Sequence, residues 1–177
     1  KECDWSSDVC SSDLTQAGFR VGQGFDIHRF EENPSGKKLV LGGVVFEGER
    51  ALVGHSDADA IAHAVADALL GAAGLGDIGE HFPDTDPKWE GANSIEILCN
   101  VASKLTEAGY RIQNVDCSVV CERPKLAPQR EAMQQNLSRA IGAQVTVKGR
   151  RAESLGALGR AEGIACFAVA LIAKDVE

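Results

Sequence analysis

The given residues contain no continuous basic stretch, no long apolar run and no segment typical of a secretory leader. Its formal net charge is −8 at pH 7, whereas nucleic-acid-binding proteins carry clustered positive charge, so we expect no nucleic-acid partner. No apolar run approaches the roughly 18 residues that span a bilayer, and no charged-then-apolar segment opens the chain. We therefore expect no membrane partner and a cytoplasmic location, or a plastid location if the source is eukaryotic.

Paired cysteine motifs are also missing. None of the six cysteines belongs to a C-x-x-C pair. Cys117 and Cys121 share one face of a predicted strand, but no second pair completes a zinc site. We expect free, buried thiols.

The composition fits one domain. The chain has 177 residues, of which 44% are hydrophobic and 25% charged, values typical of a soluble domain with a core of ordinary size. The first 14 residues show no helical or strand period and are rich in Ser and Asp. We therefore interpret residues 1–18 as a non-native or disordered tail and residues 19–177 as the domain.

Hydrophobic periodicity predicts six strands and three helices. The predicted strands are 20–28, 38–41, 44–46, 111–121, 144–148 and 164–173. The predicted helices are 58–70, 94–108 and 128–141, and Asp57 and Ser94 are the expected N-caps of the first two. The acidic segment 77–87 is predicted to be an irregular loop.

This order of elements predicts an α+β fold, an α/β sandwich of the ferredoxin-like kind. We expect a mixed four-stranded sheet with helices on one face and a short separate hairpin. The last strand is apolar on both faces, and no fourth helix is left to cover its second face. Another subunit is the natural cover, so we expect sheets packed together in an oligomer.

Two short stretches predict a metal site. Asp26 and His28 are two residues apart on a strand, so their side chains project from the same face. His63 lies in the first turns of the following predicted helix. If strand and helix meet, these three side chains supply the ligands of a catalytic zinc site, in which three protein ligands leave one tetrahedral position for water or substrate. Spacing alone also allows an ordinary helical His63 that faces Asp59 or Asp67.

Six motifs occur in an order and spacing that resemble one enzyme family. They are Gly24-Phe25-Asp26-Ile27-His28, His55-Ser56-Asp57-x-Asp59 followed by His63, Asp77-Ile78-Gly79, Phe82-Pro83-Asp84-Thr85-Asp86-Pro87, Pro124-Lys125, and Gly159-Arg160-x-Glu162-Gly163-Ile164. From Arg20 to about Lys174 the chain resembles the 2-C-methyl-D-erythritol 2,4-cyclodiphosphate synthases of the non-mevalonate isoprenoid pathway.

The resemblance implies a phosphoryl-transfer reaction. The family converts 4-diphosphocytidyl-2-C-methyl-D-erythritol 2-phosphate to the cyclic diphosphate and CMP, by attack of the substrate's own 2-phosphate on its β-phosphorus. It implies Zn²⁺ on Asp26, His28 and His63, and a second cation, Mg²⁺ or Mn²⁺, that bridges the substrate diphosphate at Glu153. It also implies a homotrimer with active sites between subunits.

Further site residues follow from the same resemblance. His55, Arg151 and Glu153 are the expected catalytic residues, and His55 and Ser56 contact phosphate near the metal ligands Asp26 and His28. The methylerythritol pocket is expected from Asp77, Ile78, Gly79, Phe82, Pro83, Asp84, Thr85 and Asp86, and the cytidine pocket of a neighbouring subunit from residues 121–127, which include Cys121, Pro124 and Lys125. Ala157 and Arg160 are expected at a central cavity of the trimer that can hold an isoprenoid diphosphate.

One departure from the family pattern leaves alternatives open. Arg151 stands where the family usually has Thr, and its guanidinium either contacts phosphate in place of the hydroxyl or points to solvent. A non-catalytic relative that binds isoprenoid diphosphates is therefore an alternative, as is an unrelated zinc hydrolase. The chain could also be the C-terminal half of a fused enzyme with an upstream cytidylyltransferase.

Overall fold

The computed structural model describes residues 18–175, so the interpretation of residues 1–18 as a tail lies, apart from Gly18, outside the described residues. The strands are β1 Phe19–Arg29, β2 Leu39–Leu41, β3 Val44–Phe46, β4 Tyr110–Val120, β5 Gln144–Arg150 and β6 Gly163–Lys174. The helices are α1 Ala60–Ala73, α2 Ile78–His81, α3 Ser94–Glu107, α4 Arg130–Ile141 and α5 Gly156–Gly159. Within the described range, no helix combines the length and the hydropathy needed to cross a membrane.

The main sheet is mixed, and the predicted fold class is confirmed. Its four strands lie in the order β1-β6-β4-β5, while β2 and β3 form a separate hairpin. Strand β6 pairs antiparallel with both β1 and β4, whereas β4 and β5 run parallel. Helix α1 packs on β1, β6 and β4, and α4 packs beside β5 on the same face. The helices therefore cover one face of the sheet.

Both predicted N-caps are displaced by one or two residues. Helix α1 is capped by Asp59, whose Oδ1 accepts the N–H groups of Ile61 and Ala62 at 3.1 Å each. Helix α3 is capped by Asn93. Asp57 lies two residues before the first cap and Ser94 directly after the second, and their side chains bond to each other instead. The single-turn helix α2 lies in the segment predicted as an irregular loop, and α5 lies between predicted strands where no helix was predicted. One turn is too short to show a hydrophobic period.

Strand β1 and helix α1 are in backbone contact. A methyl group on Gly24 would lie 2.0 Å from the carbonyl oxygen of Ala64, and one on Gly22 would lie 2.0 Å from that of Ala68. Only glycine in the strand, facing alanines of the helix, permits this approach. It brings the end of β1 beside the first turn of α1.

The opposite face of the sheet is open and apolar in the single chain. The large exposed side chains on it are Phe19, Val21, Phe25, Ile27, Phe167 and Val169, with exposed fractions between 44% and 68%. Phe25 and Phe167 pack against each other across β1 and β6, with ring centroids 4.9 Å apart. A continuous apolar surface of this kind marks an interaction site rather than a solvated face.

For the four cysteines within residues 18–175 the prediction of free, buried thiols is confirmed in part, while Cys3 and Cys10 lie outside the described residues. Cys117, Cys121 and Cys166 are free and buried, whereas Cys99 is free but exposed on α3. Burial raises the pKa of the Cys121 thiol to about 11, so this thiol is a poor nucleophile and metal ligand at neutral pH.

Candidate active site

Asp26, His28 and His63 meet at the junction of β1 and α1. Asp26 and His28 project from the face of β1 that carries the glycines, opposite to Phe25 and Ile27. The Oδ2 atom of Asp26 lies 3.0 Å from Nε2 of His28 and 3.0 Å from Nδ1 of His63. The two imidazole nitrogens are 3.4 Å apart. The structure thus brings together the three side chains that the sequence predicted as metal ligands.

The spacing of these three ligand atoms fits a cation with tetrahedral coordination. Ligands that lie about 2.0–2.1 Å from zinc at tetrahedral angles are about 3.3 Å from one another, and the three observed separations are 3.0, 3.0 and 3.4 Å. One carboxylate oxygen and two imidazole nitrogens also form a donor set typical of catalytic zinc. The residues present therefore fit a divalent metal of this kind.

A backbone carbonyl orients His28. Its Nδ1 lies 2.8 Å from the carbonyl oxygen of Val53, and since a carbonyl only accepts, Nδ1 carries the proton. Nε2 then faces the cluster, where it binds a metal through its lone pair when the ring is neutral and donates to Asp26 when the ring is protonated. Val53 is itself held to the end of β1, because its N–H donates to the carbonyl of Arg29 at 2.9 Å.

His63 is oriented by the start of α3. Its Nε2 lies 2.8 Å from Oγ of Ser94 and 3.2 Å from Oγ of Ser56, which leaves Nδ1 for the cluster. The alternative pairings of His63 are wrong for the side chains described. Asp59 is fully buried at the cap of α1, where it also accepts the N–H groups of Gly42 and Gly43, and Asp67 accepts the N–H of Ile78 at 3.0 Å.

The cluster holds its carboxylate ionised. Burial opposes the charged form of Asp26, but hydrogen bonds and charge from His28 and His63 outweigh it, so the pKa of Asp26 lies well below its usual range. Burial also opposes protonation of His28, and the contact with Asp26 outweighs it, which raises the pKa of His28. An ionised carboxylate beside two imidazole nitrogens is the electrostatic setting of a cation site.

The other predicted residues near the cluster come from two adjoining segments. Ser56 contacts His63 directly, and Nε2 of His55 lies 3.3 Å from the carbonyl oxygen of Asp86. Asp77 caps α2 by accepting the N–H of Glu80. Because Asp67, which holds α2, lies one helical turn beyond His63, the Asp77–Gly79 segment follows the same face of α1.

A second group of predicted residues lines a separate groove of about 1,170 Å³. It includes Cys121, Pro124, Lys125 and Arg151. The side chain of Cys121 is only 5% exposed. The Arg151 side chain is 68% exposed, and its Nε and Nη2 atoms lie 3.0 and 2.9 Å from Oε2 of Glu122. This ion pair was not predicted, because Glu122 and Arg151 are 29 residues apart in the sequence. Glu122 follows the end of β4, and Arg151 follows the end of β5.

The sheet register relates the groove to the metal cluster. Ile27 pairs with Ala165, Ala165 with Val120, and Val120 with Arg150. Cluster and groove therefore lie at the same end of the sheet but on its two edge strands, about 14 Å apart at the usual strand spacing. Within one chain the two halves of the predicted site do not touch.

Three predicted residues lie in the connection between β5 and β6. Glu153 has a positive φ of 50°, a left-handed conformation uncommon for a residue with a side chain. Ala157 lies in α5, and Arg160 forms an ion pair with Glu162 at 2.6 Å. None of them contacts the Asp26–His28–His63 cluster through the hydrogen bonds or ion pairs recorded among the described residues.

Together these features define a class: an α+β domain that carries a carboxylate and two imidazoles in the arrangement of a catalytic metal site. The model of the YgbB family matches residues 19–173, and the chain belongs to this family. The motif-based resemblance to the cyclodiphosphate synthases is thereby confirmed.

Individual relatives agree with the family match. The chain is 50% identical over 160 residues to the 2-C-methyl-D-erythritol 2,4-cyclodiphosphate synthase of Geobacillus kaustophilus. The matched region covers 89% of this chain and 99% of that protein. It is also 50% identical over 164 residues to the bifunctional enzyme IspD/IspF of an Anaeromyxobacter species. That matched region covers 91% of this chain but 42% of the bifunctional protein. The chain thus spans less than half the length of the bifunctional relative.

The fold is also that of a solved structure. The Plasmodium falciparum IspF in complex with CDP superposes with a TM-score of 0.78 at 35% identity, over 90% of this chain and 98% of that one. An unrelated zinc hydrolase is therefore excluded as an interpretation of the cluster, because the whole domain follows the YgbB family.

Proposed function

We propose that the chain converts 4-diphosphocytidyl-2-C-methyl-D-erythritol 2-phosphate to 2-C-methyl-D-erythritol 2,4-cyclodiphosphate and CMP, in non-mevalonate isoprenoid biosynthesis. The observation that carries the proposal is the Asp26–His28–His63 cluster, with ligand atoms 3.0–3.4 Å apart, inside a domain of the YgbB family. The names of the relatives support the reaction, and the bound CDP in the Plasmodium IspF supports a cytidine substrate.

The residues around the cluster would position one phosphate for attack. Zn²⁺ held by Asp26, His28 and His63 would supply Lewis acidity and a fixed contact for a β-phosphate oxygen. The hydroxyl of Ser56, which contacts His63, and the imidazole of the preceding residue, His55, would donate hydrogen bonds to phosphate oxygens. Donors fixed in advance stabilise the negative charge that builds on these oxygens during transfer. Since the substrate attacks itself, the chain needs no nucleophile and contributes mainly positioning.

The groove would hold the cytidine half of the substrate. Lys125 and Arg151 bring positive charge to it, and Arg151 in this proposal replaces a hydroxyl by contacting the leaving phosphate. Glu153 would hold the second cation, Mg²⁺ or Mn²⁺, with the substrate diphosphate, because a hydrated hard cation binds through one carboxylate and phosphate oxygens.

A homotrimer would join the two halves. Cluster and groove lie about 14 Å apart at one end of the sheet, and the open face carries Phe25 and Phe167 half-exposed. Packing this face against the same face of other copies would bury it and set the groove of one copy against the cluster of the next. A central cavity beside Ala157 and Arg160 could then take an isoprenoid diphosphate.

The remaining roles complete the proposal. Asp77, Ile78 and Gly79 with the Phe82–Asp86 segment would form the methylerythritol pocket beside the cluster, and the enzyme would act in the cytoplasm. The alternative of a non-catalytic diphosphate-binding relative is not favoured, since the relatives at about 50% identity are named as synthases.

The decisive experiment is incubation with the cytidine substrate in the presence of zinc and magnesium. We expect CMP and a cyclic diphosphate to form in equal amounts. Chromatography would quantify the CMP, and phosphorus NMR would identify the cyclic diphosphate. Chelation of the metals and the His63→Ala variant should both abolish the reaction. Asn114→Ala, which changes an exposed residue near the start of β4, at the opposite end of the sheet from the cluster, is the matched control. Substrate that stays intact, or full turnover by metal-free protein, would contradict the proposal.

A further inference from the structure

A buried hydroxyl connects His63 to a carboxylate that the sequence placed elsewhere. Ser94 is 1% exposed, and its Oγ lies 2.8 Å from Nε2 of His63. The same Oγ donates a hydrogen bond to Oδ1 of Asp57. The backbone N–H of Ser94 donates to the other oxygen, Oδ2 of Asp57, at 3.0 Å. Asp57 thus accepts two hydrogen bonds from the first residue of α3, one at each carboxylate oxygen.

The chemistry of the three groups fixes the direction of every hydrogen bond. An ionised carboxylate only accepts, so the single hydroxyl proton of Ser94 goes to Asp57. The oxygen of Ser94 can then only accept from His63, which places a proton on Nε2. The remaining ring nitrogen, Nδ1, then faces the cluster 3.0 Å from Oδ2 of Asp26, where its lone pair is free to bind a metal. This chain of contacts determines both the tautomer and the rotation of the ring.

We propose that Ser94 and Asp57 are positioning residues for His63, which keep its Nδ1 free as a metal ligand. The inference rests on the proposed metal function of the cluster. Outer partners of this kind orient ligating imidazoles and raise their basicity, and their removal typically lowers metal affinity about 10- to 100-fold.

Two features set Ser94 apart from Ser56, the other hydroxyl near Nε2. Ser56 Oγ is farther from the ring, at 3.2 Å, and it already accepts the N–H of Ala58 at 3.3 Å. Asp57 is also fixed from its own side, because its Oδ1 accepts the N–H of Asp59 at 3.2 Å and its N–H donates to the carbonyl of Ala92 at 3.1 Å. The carboxylate is therefore a rigid anchor for the serine.

The test is zinc affinity, measured by competition with a chromophoric chelator on the full chain. Ser94→Ala should bind zinc about 10- to 100-fold more weakly than the wild type. Ser103→Ala is the matched control: it lies on the same helix, is exposed, and its hydroxyl donates only to the carbonyl of Cys99. Asp57→Asn, which keeps the shape of the side chain but weakens the acceptor for the serine proton, should lose affinity in the same direction and to a smaller extent.

A spectroscopic measurement separates positioning from general structural damage. In zinc-loaded, nitrogen-15-labelled wild type, His63 should show a zinc-bound Nδ1 and a protected, downfield Nε2–H proton. In Ser94→Ala that proton resonance should move upfield or disappear through exchange with water. The metal-free variant should still have a melting temperature within a few degrees of that of the wild type.

The outcomes distinguish the two proposals. A wild type that takes up no zinc contradicts the metal site itself. A wild type that binds zinc while Ser94→Ala matches it within about twofold contradicts only the positioning role. A wild-type His63 that is protonated on Nδ1 and ligates through Nε2 contradicts it as well.

Discussion

The backbone contact between β1 and α1 predicts that one added methyl group disturbs both the fold and the metal cluster. In Gly24→Ala the new carbon would lie 2.0 Å from the carbonyl oxygen of Ala64 and 2.6 Å from the backbone nitrogen of Ala68. Both neighbours are main-chain atoms of a helix, so neither can rotate away. Helix and strand must separate instead.

The geometry gives the size of the effect. Non-bonded carbon and oxygen atoms settle near 3.3 Å, so α1 must retreat by about 1 Å. Overpacking of this kind costs about 1–3 kcal/mol, and we expect the upper end because the backbone has to move. The retreat also carries Nδ1 of His63 away from Asp26, now 3.0 Å distant, and a misplacement of about 1 Å is expected to lower zinc affinity tenfold or more.

Urea unfolding of the metal-free protein and zinc competition measure the two effects. Gly71→Ala is the matched control, because Gly71 lies in α1 and a methyl group there meets only the carbonyl oxygen of Gln23 at 3.9 Å. Alanine in place of glycine inside a helix should stabilise the protein by about 0.5–1 kcal/mol and leave zinc affinity unchanged. A Gly24→Ala variant with wild-type stability and zinc affinity would refute the backbone-contact explanation.

Three further predictions concern the groove, the cluster and the open face. Arg151→Ala should slow CMP release about 10- to 100-fold, as for loss of a charged hydrogen bond to phosphate, whereas exposed Arg139→Ala should not; an unchanged rate in steady-state assays would rule out the phosphate role. In the metal-free protein the Asp26–His28 pair should stabilise the folded state most between pH 3.8 and 6.5. The pKa of Asp26 is lowered in the folded state, so its contribution is lost as the pH falls through that lowered pKa. The pKa of His28 is raised, so its contribution is lost as the pH rises through that raised pKa. Urea titrations of wild type and His28→Gln should therefore converge at high pH, and a constant difference in unfolding free energy would disprove the linkage. Phe167→Asp should convert the proposed trimer to monomers in sedimentation velocity, and a wild type that is itself monomeric would remove the trimer from the mechanism.

Periodicity predicted the elements that bury many side chains. Strand β6 and helix α1 are long and strongly patterned, so their positions follow from the sequence to within three residues at each end. The alternation of β1 also put Asp26 and His28 on one face and Phe25 and Ile27 on the other. These assignments depend only on local geometry, which the sequence carries directly.

Long-range choices among similar polar residues could not be predicted. Asp57 and Asp59 are both suited to cap α1, and the sequence gives no reason to prefer either. Asp59 is selected because the β2–β3 turn presents the N–H groups of Gly42 and Gly43 to it, at 2.8 and 2.7 Å. Asp57 is thereby left to bind Ser94, a residue 37 positions away. The one clue was the crowding of two carboxylates at a helix start, which requires donors nearby.

The placement of the cluster and the groove on the two edge strands has a consequence for mixtures of defective chains. If each working site takes its cluster from one copy and its groove from the next, a chain without His63 and a chain without a functional groove are defective in different halves. Co-assembled at random, they should rescue one another, with about a quarter of the sites intact by counting the ways three copies can be arranged in a ring. Two inactive proteins would then make an active enzyme on mixing.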